Sequence, residues 1–401
     1  MNVDAEPAAG AQRGLLPLLA VTVFASASTV HFQTPMLGRF VTEFAATPAA
    51  VGWIPTLAFT GFLVGILLLV PLGDRIDKRR LILAHLAGLI VAVSGMALAP
   101  SLPWLWAASF AIGVCASLSQ YVVPLVVELA PPGARGAAVG TVMSGLFVGI
   151  LFGRIAGGIV AATLGWRWMY VISACMLIAL TVSLALRLPP SPARTTHRYG
   201  ELIASLLALY RAQPLLRRAS MVQFLLALGY GGFWATLAAL LAMRYGYGPT
   251  VAGLIGIPGA AGLLVARPAG RALDRRGPGP VVAIGVAVFA LAFVVLAFGL
   301  VTIAAIALGA ALLDCGLRAA MVANQTLVTS VDPQARSRLN TLFQAHMWGG
   351  NAVGAVLAST VLTHAGWLPV CAIALVAAVT AFLVQRRAPA SVPAPGTGRA
   401  A

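Results

Sequence analysis

Long apolar runs follow one another along most of the chain, parted by short polar intervals that carry arginine. A helix crossing about 30 Å of hydrocarbon needs roughly 20 predominantly apolar residues. Twelve such stretches can be laid down, over 15–37, 50–72, 81–100, 103–127, 137–164, 166–187, 218–243, 250–269, 280–300, 302–328, 338–363 and 366–385. They predict an all-α integral membrane protein with twelve transmembrane helices. The longest polar interval, 188–217, separates the sixth stretch from the seventh and predicts a linker between two six-helix bundles, 15–187 and 218–387. Residues 1–14 form a leading tail, and the proline-rich, weakly charged 388–401 a disordered end. Inside the linker, ELIASLLALY is apolar on one side and flanked by basic residues. That pattern suits a short helix lying on the inner membrane surface, with a solvated, unstructured linker as the alternative.

Composition sharpens this picture. Of 401 residues, 60% are apolar and 9% charged, against roughly 25% charged in an ordinary soluble domain. A soluble globular enzyme is excluded, and so is a disordered chain, which needs low hydrophobicity and dense charge. The net charge of +16 raises the question of nucleic acid, but phosphate-binding patches sit on solvated faces, whereas these basic residues cluster between apolar runs. Membrane topology accounts for them better. With both termini cytoplasmic, 21 of the 26 Lys and Arg residues lie on the cytoplasmic side. Three lie outside (Arg39, Arg167 and Arg244), and two lie within spans (Arg154 and Arg318). The positive-inside rule fixes that orientation. The first apolar run is long enough to span and has no small-residue cleavage site behind a short core, so no cleavable signal is expected. Cys115, Cys175, Cys315 and Cys371 all fall within apolar runs without CxxC spacing, so neither disulfides nor a metal site is expected.

The sequence repeats itself at a fixed offset. PPGARG at 131–136 followed by Gly165-Trp166 matches DPQARS at 332–337 followed by Gly366-Trp367, an offset of 201. Asp74-Arg75, after the second stretch, matches Asp274-Arg275, after the eighth, at an offset of 200. Two pseudo-symmetric halves of six spans follow. Parallel six-span repeats joined by a basic linker, with an Asp-Arg turn after the second span of each, resemble the major facilitator superfamily over nearly the whole chain. The family's first-loop signature is written here as VPLGDRIDKRR, with Val70 and Asp77 where glycines are usual; the second copy keeps Gly270 and Gly277. The resemblance implies that Asp74, Arg75, Asp274, Arg275, Arg135 and Arg336 belong to gating loops, Asp74 latching neighbouring helix ends when the inner side is closed. Lys78, Arg79 and Arg80 read as plain positive-inside anchors.

In the fifth span, Gly145, Gly149, Gly153 and Gly157 recur every four residues with Gly158 adjoining, so one helix face is bare enough for close approach of another backbone. The segment GILFGRIAGG resembles the antiporter signature GxxxGPxxGG of drug-exporting family members, with Arg154 in place of the proline.

Charge inside a span is expensive and marks a functional-site hypothesis. Arg154, Asp314 and Arg318 qualify. Asp314 lies four residues before Arg318, so the two share a helix face and can pair. By the rise of about 1.5 Å per residue, Arg154 and Asp314 fall at similar depth, which permits pairing across the bundles. The hypothesis is that Asp314 is the proton-responsive group, ionised beside arginine in one state and protonated or displaced by substrate in another. Burial favours the neutral acid and a nearby cation the ionised one, so the arginine distance tunes the switch. A permanent structural Asp314–Arg318 pair is the alternative. In the family, spans one, four, seven and ten line the central cavity, which makes His31, Gln33, Gln120, Tyr121, Gln223, Phe233, Trp234, Asn324 and Gln325 the candidate cavity residues, against a role in helix–helix hydrogen bonding. The eleventh span adds Gln344, His346, Trp348 and Asn351.

LLDCGLRAAMVANQ and ARSRLNT, between Asp314 and Asn340, resemble a bacterial branch of drug:proton-antiporter-like permeases, many labelled as efflux or sugar-efflux permeases. The expectation is a secondary exporter exchanging protons for a small organic substrate (a drug, sugar or metabolite) by alternating access in the bacterial plasma (inner) membrane, monomeric and without a cofactor. Uptake of a polar nutrient or organic anion is the alternative that Arg154 keeps open. A non-transporting receptor would need an appended signalling domain, and an enzyme or ATP-driven pump would need a catalytic constellation or phosphate-binding loop that the sequence does not offer.

Overall fold

The computed structural model describes residues 6–191, 199–332 and 335–386. Every regular element among them is helical. The first span is α1 (Glu6–His31), continued past a 3-10 turn at Thr34–Met36 by α2 (Leu37–Glu43). The second is α3 (Pro48–Val64), loosening into a π turn at Gly65–Leu69 and a 3-10 turn at Val70–Asp74. There follow α4 (Lys78–Ala97), the pair α5 (Leu102–Ala116) and α6 (Ser119–Leu129) that makes up span four, α7 (Arg135–Thr163) and α8 (Trp166–Arg187). The linker contains α9 (Tyr199–Ala212). The second half runs α10 (Pro214–Tyr245), the broken eighth span α11 (Pro249–Leu254) and α12 (Gly262–Arg276), α13 (Pro278–Ala297), α14 (Ile303–Thr329), α15 (Arg336–Ala365) and α16 (Trp367–Arg386).

Eleven helical segments among the described residues are long and apolar enough to cross a membrane. The twelfth span, α15, has 30 residues, about 45 Å at 1.5 Å per residue. Gln344, His346 and Asn351 dilute its apolar character, and it lies sheltered between α3 and α10. Helix starts follow local chemistry. Thr47 accepts a hydrogen bond from the Ala50 amide ahead of Pro48, and Asp77 accepts one from the Arg79 amide at 2.8 Å.

The repeat has a physical meaning on both counts. Gly165 and Gly366 take φ of 97° and 82°, a conformation open to glycine, and turn the chain into α8 and α16. The tryptophan after each then clamps its own bundle: Trp166 Nε1 donates to Glu43 at 2.6 Å, and Trp367 Nε1 to the Leu296 carbonyl at 2.7 Å. The glycine face of α7 packs on α1, where Gly149 abuts the Phe24 carbonyl and a Cβ on Gly153 would lie 2.7 Å from the Ser28 carbonyl. In the second half Gly350 and Gly354 of α15 meet the carbonyls of Phe224 and Leu228 on α10. These are the same contacts displaced by the sequence offset, so the ladder holds each bundle together from within.

Helices alternate in direction, so the polar connections at Lys78–Arg80, Arg135, Arg275–Arg276 and Arg336–Arg338 gather at one end, called here the basic end. The bundles meet at the opposite, distal half: Gly38 approaches Ala238 and Ala242, Gly52 meets Ser359, and Gly158 meets Pro249 and Gly253. Towards the basic end α7 parts from the second bundle. It packs closely on α11 but not on α12, and a Cβ on Gly136 or Gly140 would meet nothing within 4 Å. The linker does hold a helix, but its apolar face (Ile203, Leu206, Leu209) covers Leu216, Leu339, Leu342 and Phe343 of the second bundle, where the sequence suggested a membrane surface. Arg194, His197, Arg198 and the tail 388–401 lie outside the described residues.

Candidate functional site

At mid-depth, where α7 meets the second bundle, five elements bring charge together. Asp314 on α14 is buried, and its Oδ1 lies 3.5 Å from Arg318 Nε, one turn along the same helix. Its Oδ2 accepts a hydrogen bond from the Gly262 amide at 3.2 Å. That amide is available because span eight is broken. Pro258 has no N–H, the chain makes a 3-10 turn at Pro258–Ala260, and α12 starts afresh at Gly262; in its first turn the Leu264 amide donates to the Ala261 carbonyl at 3.0 Å, while the Gly262 amide is turned to Asp314.

Arg154 on α7 faces the same cleft, 3% exposed. Its Nη2 donates to Tyr230 Oη at 3.1 Å, and its guanidinium carbon lies 3.5 Å from the centroid of the Trp234 ring, both on α10. No ion pair joins it to Asp314; the acid belongs to Arg318 and α12, the second guanidinium to the aromatics. A charged hydrogen bond contributes about 1.5–3 kcal/mol and a desolvated cation–π contact about 2 kcal/mol, against a burial penalty of several kcal/mol for an ion. The arrangement therefore tolerates Arg154 without stabilising the fold by it. His31 on α1 donates through Nδ1 to the Ala27 carbonyl at 2.9 Å and sits within electrostatic reach of Arg154 and Arg318. Phe147 on α7 lies under the Arg318 guanidinium, 5.0 Å from centroid to carbon. The cleft bounded by Phe147, Arg154, Tyr230, Gly259, Asp314 and Arg318 encloses only about 10 Å³, room for about one water. With two arginines set against one carboxylate, it carries an excess of positive charge.

Other candidates lie elsewhere. Phe233 packs against Trp234. Gln33 accepts from Ser109 Oγ at 3.1 Å, while the side chains of Gln223 and Asn324 are buried without a hydrogen-bond partner. Gln325 donates to Asn340 at 2.7 Å and ties α14 to α15. Gln120 and Tyr121 border a separate cavity of about 240 Å³ at the basic end, between α6, α9 and α15, together with Ser337, Arg338 and Thr341. Arg75, Arg135, Arg336, Asp274 and Arg275 are exposed at the basic end, and the side chain of Asp74 lies outside the described residues.

Lys78 departs from its expected role as a surface anchor. It is 4% exposed and pairs with Glu128 at 2.9 Å, because α4 begins at Lys78 and turns that side chain inward while Arg80 points out. Sequence reasoning also missed Tyr230 and the break in span eight. The signal for the break is IGIPGAAG at 255–262, a proline among glycines inside an apolar run, which in transporters marks a discontinuous helix at the binding site. No cluster of three or more potential metal ligands occurs among the described residues.

Two six-helix bundles meeting over buried charge at mid-depth define a membrane transporter of the secondary kind rather than an enzyme. The chain belongs to the Major Facilitator Superfamily, whose family description matches residues 19–330 and 219–400. It is 30% identical over 377 residues to the uncharacterized transporter YgaY of Escherichia coli, covering 93% of this chain and 95% of that one. It is 24% identical over 419 residues to the multidrug resistance protein B homolog of Mycobacterium tuberculosis, with 88% and 77% covered. In fold it is similar to a bacterial homolog of the human lysosomal transporter Spinster in its inward-facing, unoccupied conformation, with TM-score 0.75, 16% identity, and 94% and 97% of the chains covered.

Proposed function

We propose that this protein exports a small organic molecule from the bacterial cytoplasm in exchange for protons, with Asp314 as the proton-responsive group. The observation that carries the reading is the buried carboxylate shared between Arg318 and the broken eighth span, facing Arg154 across the contact between bundles. Adding a proton to Asp314 removes the negative charge that holds two elements, so proton binding and bundle arrangement are linked. Residues 15–187 and 218–387 act as the two halves that rock, and the linker 188–217 joins them. Both termini lie in the cytoplasm, a reading supported by the 21 basic residues at that end against three at the other. The basic end is then the cytoplasmic one, and the parting of α7 from α12 there supports an inward-facing arrangement. Likeness to a protein named for multidrug resistance supports export.

A second reading, uptake of an organic anion, is favoured by Arg154. A buried cation held by aromatic rings in place of a carboxylate attracts an anionic solute, and neutralising Asp314 would strengthen that attraction, so anion and proton would move together. Growth of an efflux-deficient bacterial host on a panel of drugs, dyes, sugars and organic acids separates the readings. Export predicts resistance conferred by the native chain and lost in Asp314→Asn at matched expression. Sensitisation to organic acids, with resistance to nothing, would overturn export in favour of uptake.

A further inference from the structure

The break in span eight does more than admit a bend. α12 begins at Gly262 directly upon the Asp314 turn of α14: a Cβ at Gly262 would lie 2.5 Å from Asp314 Oδ2, 2.6 Å from Arg318 Cγ and 2.7 Å from the Asp314 carbonyl. No other residue type fits that seat as it stands. The positive pole of the α12 dipole and the Arg318 guanidinium therefore both face one carboxylate, which satisfies the amide and screens the two positive groups from each other. When that carboxylate is neutral, helix pole and guanidinium confront one another with no anion between them. α12 is also free to respond, because it packs on α14 and α13 but not closely on α7, and its far end reaches the exposed Arg275 and Arg276.

We propose that Gly262 is a positioning residue for proton coupling: through its amide, the half-helix α12 reads the charge on Asp314, docked when the carboxylate is ionised and parted from α14 when a proton occupies it. The proposal rests on Asp314 being the proton-responsive group. In the step a solvent proton forms an O–H bond on the carboxyl group, and the Gly262 N–H loses an anionic acceptor. The ionisable groups around Asp314 are Arg318 and Cys315 on its own helix, Arg154 on α7, Tyr230 on α10 and, beyond the arginines, His31 on α1. α13, packed on the other side of α14, contributes no ionisable side chain. The two arginines stay charged throughout, so protonation leaves them and the helix pole mutually repelling.

Amide hydrogen exchange of the full-length protein in lipid nanodiscs, corrected for the intrinsic effect of pH, tests this on the peptide spanning 256–268. Protection of that peptide is expected to be lost on acidification, and Asp314→Asn is expected to show the same loss at neutral pH. Gly262→Ala, which wedges α12 off α14, is expected to remove the pH dependence. Protection of the peptide that is unchanged by pH and by Asp314→Asn overturns the proposal, whether or not Gly262→Ala folds. Proton-driven transport by Asp314→Asn, measured in parallel, separates the two failures. Lost coupling with unaltered exchange sinks the role of α12 alone, whereas intact coupling sinks the Asp314 assignment and this inference with it.

Discussion

Arg154 and Lys78 are both buried cations, and the difference between them is chemical. Lys78 has Glu128 at 2.9 Å, so removing the lysine takes a buried cation away from a half-buried carboxylate. Lys78→Met is expected to destabilise the protein by on the order of 2 kcal/mol, and the double variant Lys78→Met/Glu128→Leu to regain most of it. Thermal unfolding of the four proteins in one detergent gives the coupling directly. Arg154 has aromatic partners in place of an acid, so Arg154→Met is expected to leave the unfolding temperature unchanged or raise it while abolishing transport. A large loss of stability in that variant would assign Arg154 to the fold. Asp314, Arg318 and Arg154 were legible in the sequence because charge stands out in an apolar run. Their partners were not. Gly262 acts through its backbone, Tyr230 is one aromatic among many, and the inward turn of Lys78 depends on where α4 begins.

At the scale of elements, the glycine face of α7 was visible as a four-residue period, and its partner was not, since periodicity says which face is bare and leaves open what covers it. The structure places α1 there, and α10 against the equivalent glycines of α15. The pair of ladders predicts matched behaviour. Gly149→Val and Gly350→Val each drive a branched side chain into a carbonyl of the neighbouring helix, and each is expected to abolish accumulation of folded protein in the membrane, read by size-exclusion profile. Gly136→Val and Gly140→Val, facing open space, are expected to preserve it. The repeat of Gly-Trp was legible as a string, and its meaning as a positive-φ turn followed by an indole clamp emerged from the backbone. Twelve spans could be counted from apolar length, which by itself looks continuous across the interruptions in spans one, two and four; only that in span eight is marked in the sequence, by the proline among glycines of IGIPGAAG.

For the whole molecule, the bundles are in contact through the distal half, and towards the basic end α7 is parted from α12 while α3 stays packed on α15. Gly38 on α2 and Ala242 on α10 face each other across the closed side, with 3.7 Å between an added Cβ on Gly38 and that of Ala242, within the range a disulfide requires. The pair Gly38→Cys/Ala242→Cys is expected to crosslink under mild oxidation and to stop transport, with reductant restoring it. Oxidised protein that transports at the native rate would show that the distal contact does not open. Proton coupling itself is tested by following one solute, drawn from the growth panel, in membrane vesicles. An imposed pH gradient is expected to concentrate that solute in vesicles carrying the native chain and to leave it at equilibrium in vesicles carrying Asp314→Asn, although both exchange labelled for unlabelled solute. Accumulation by Asp314→Asn equal to that of the native chain would contradict the claim that this carboxylate couples protons to transport.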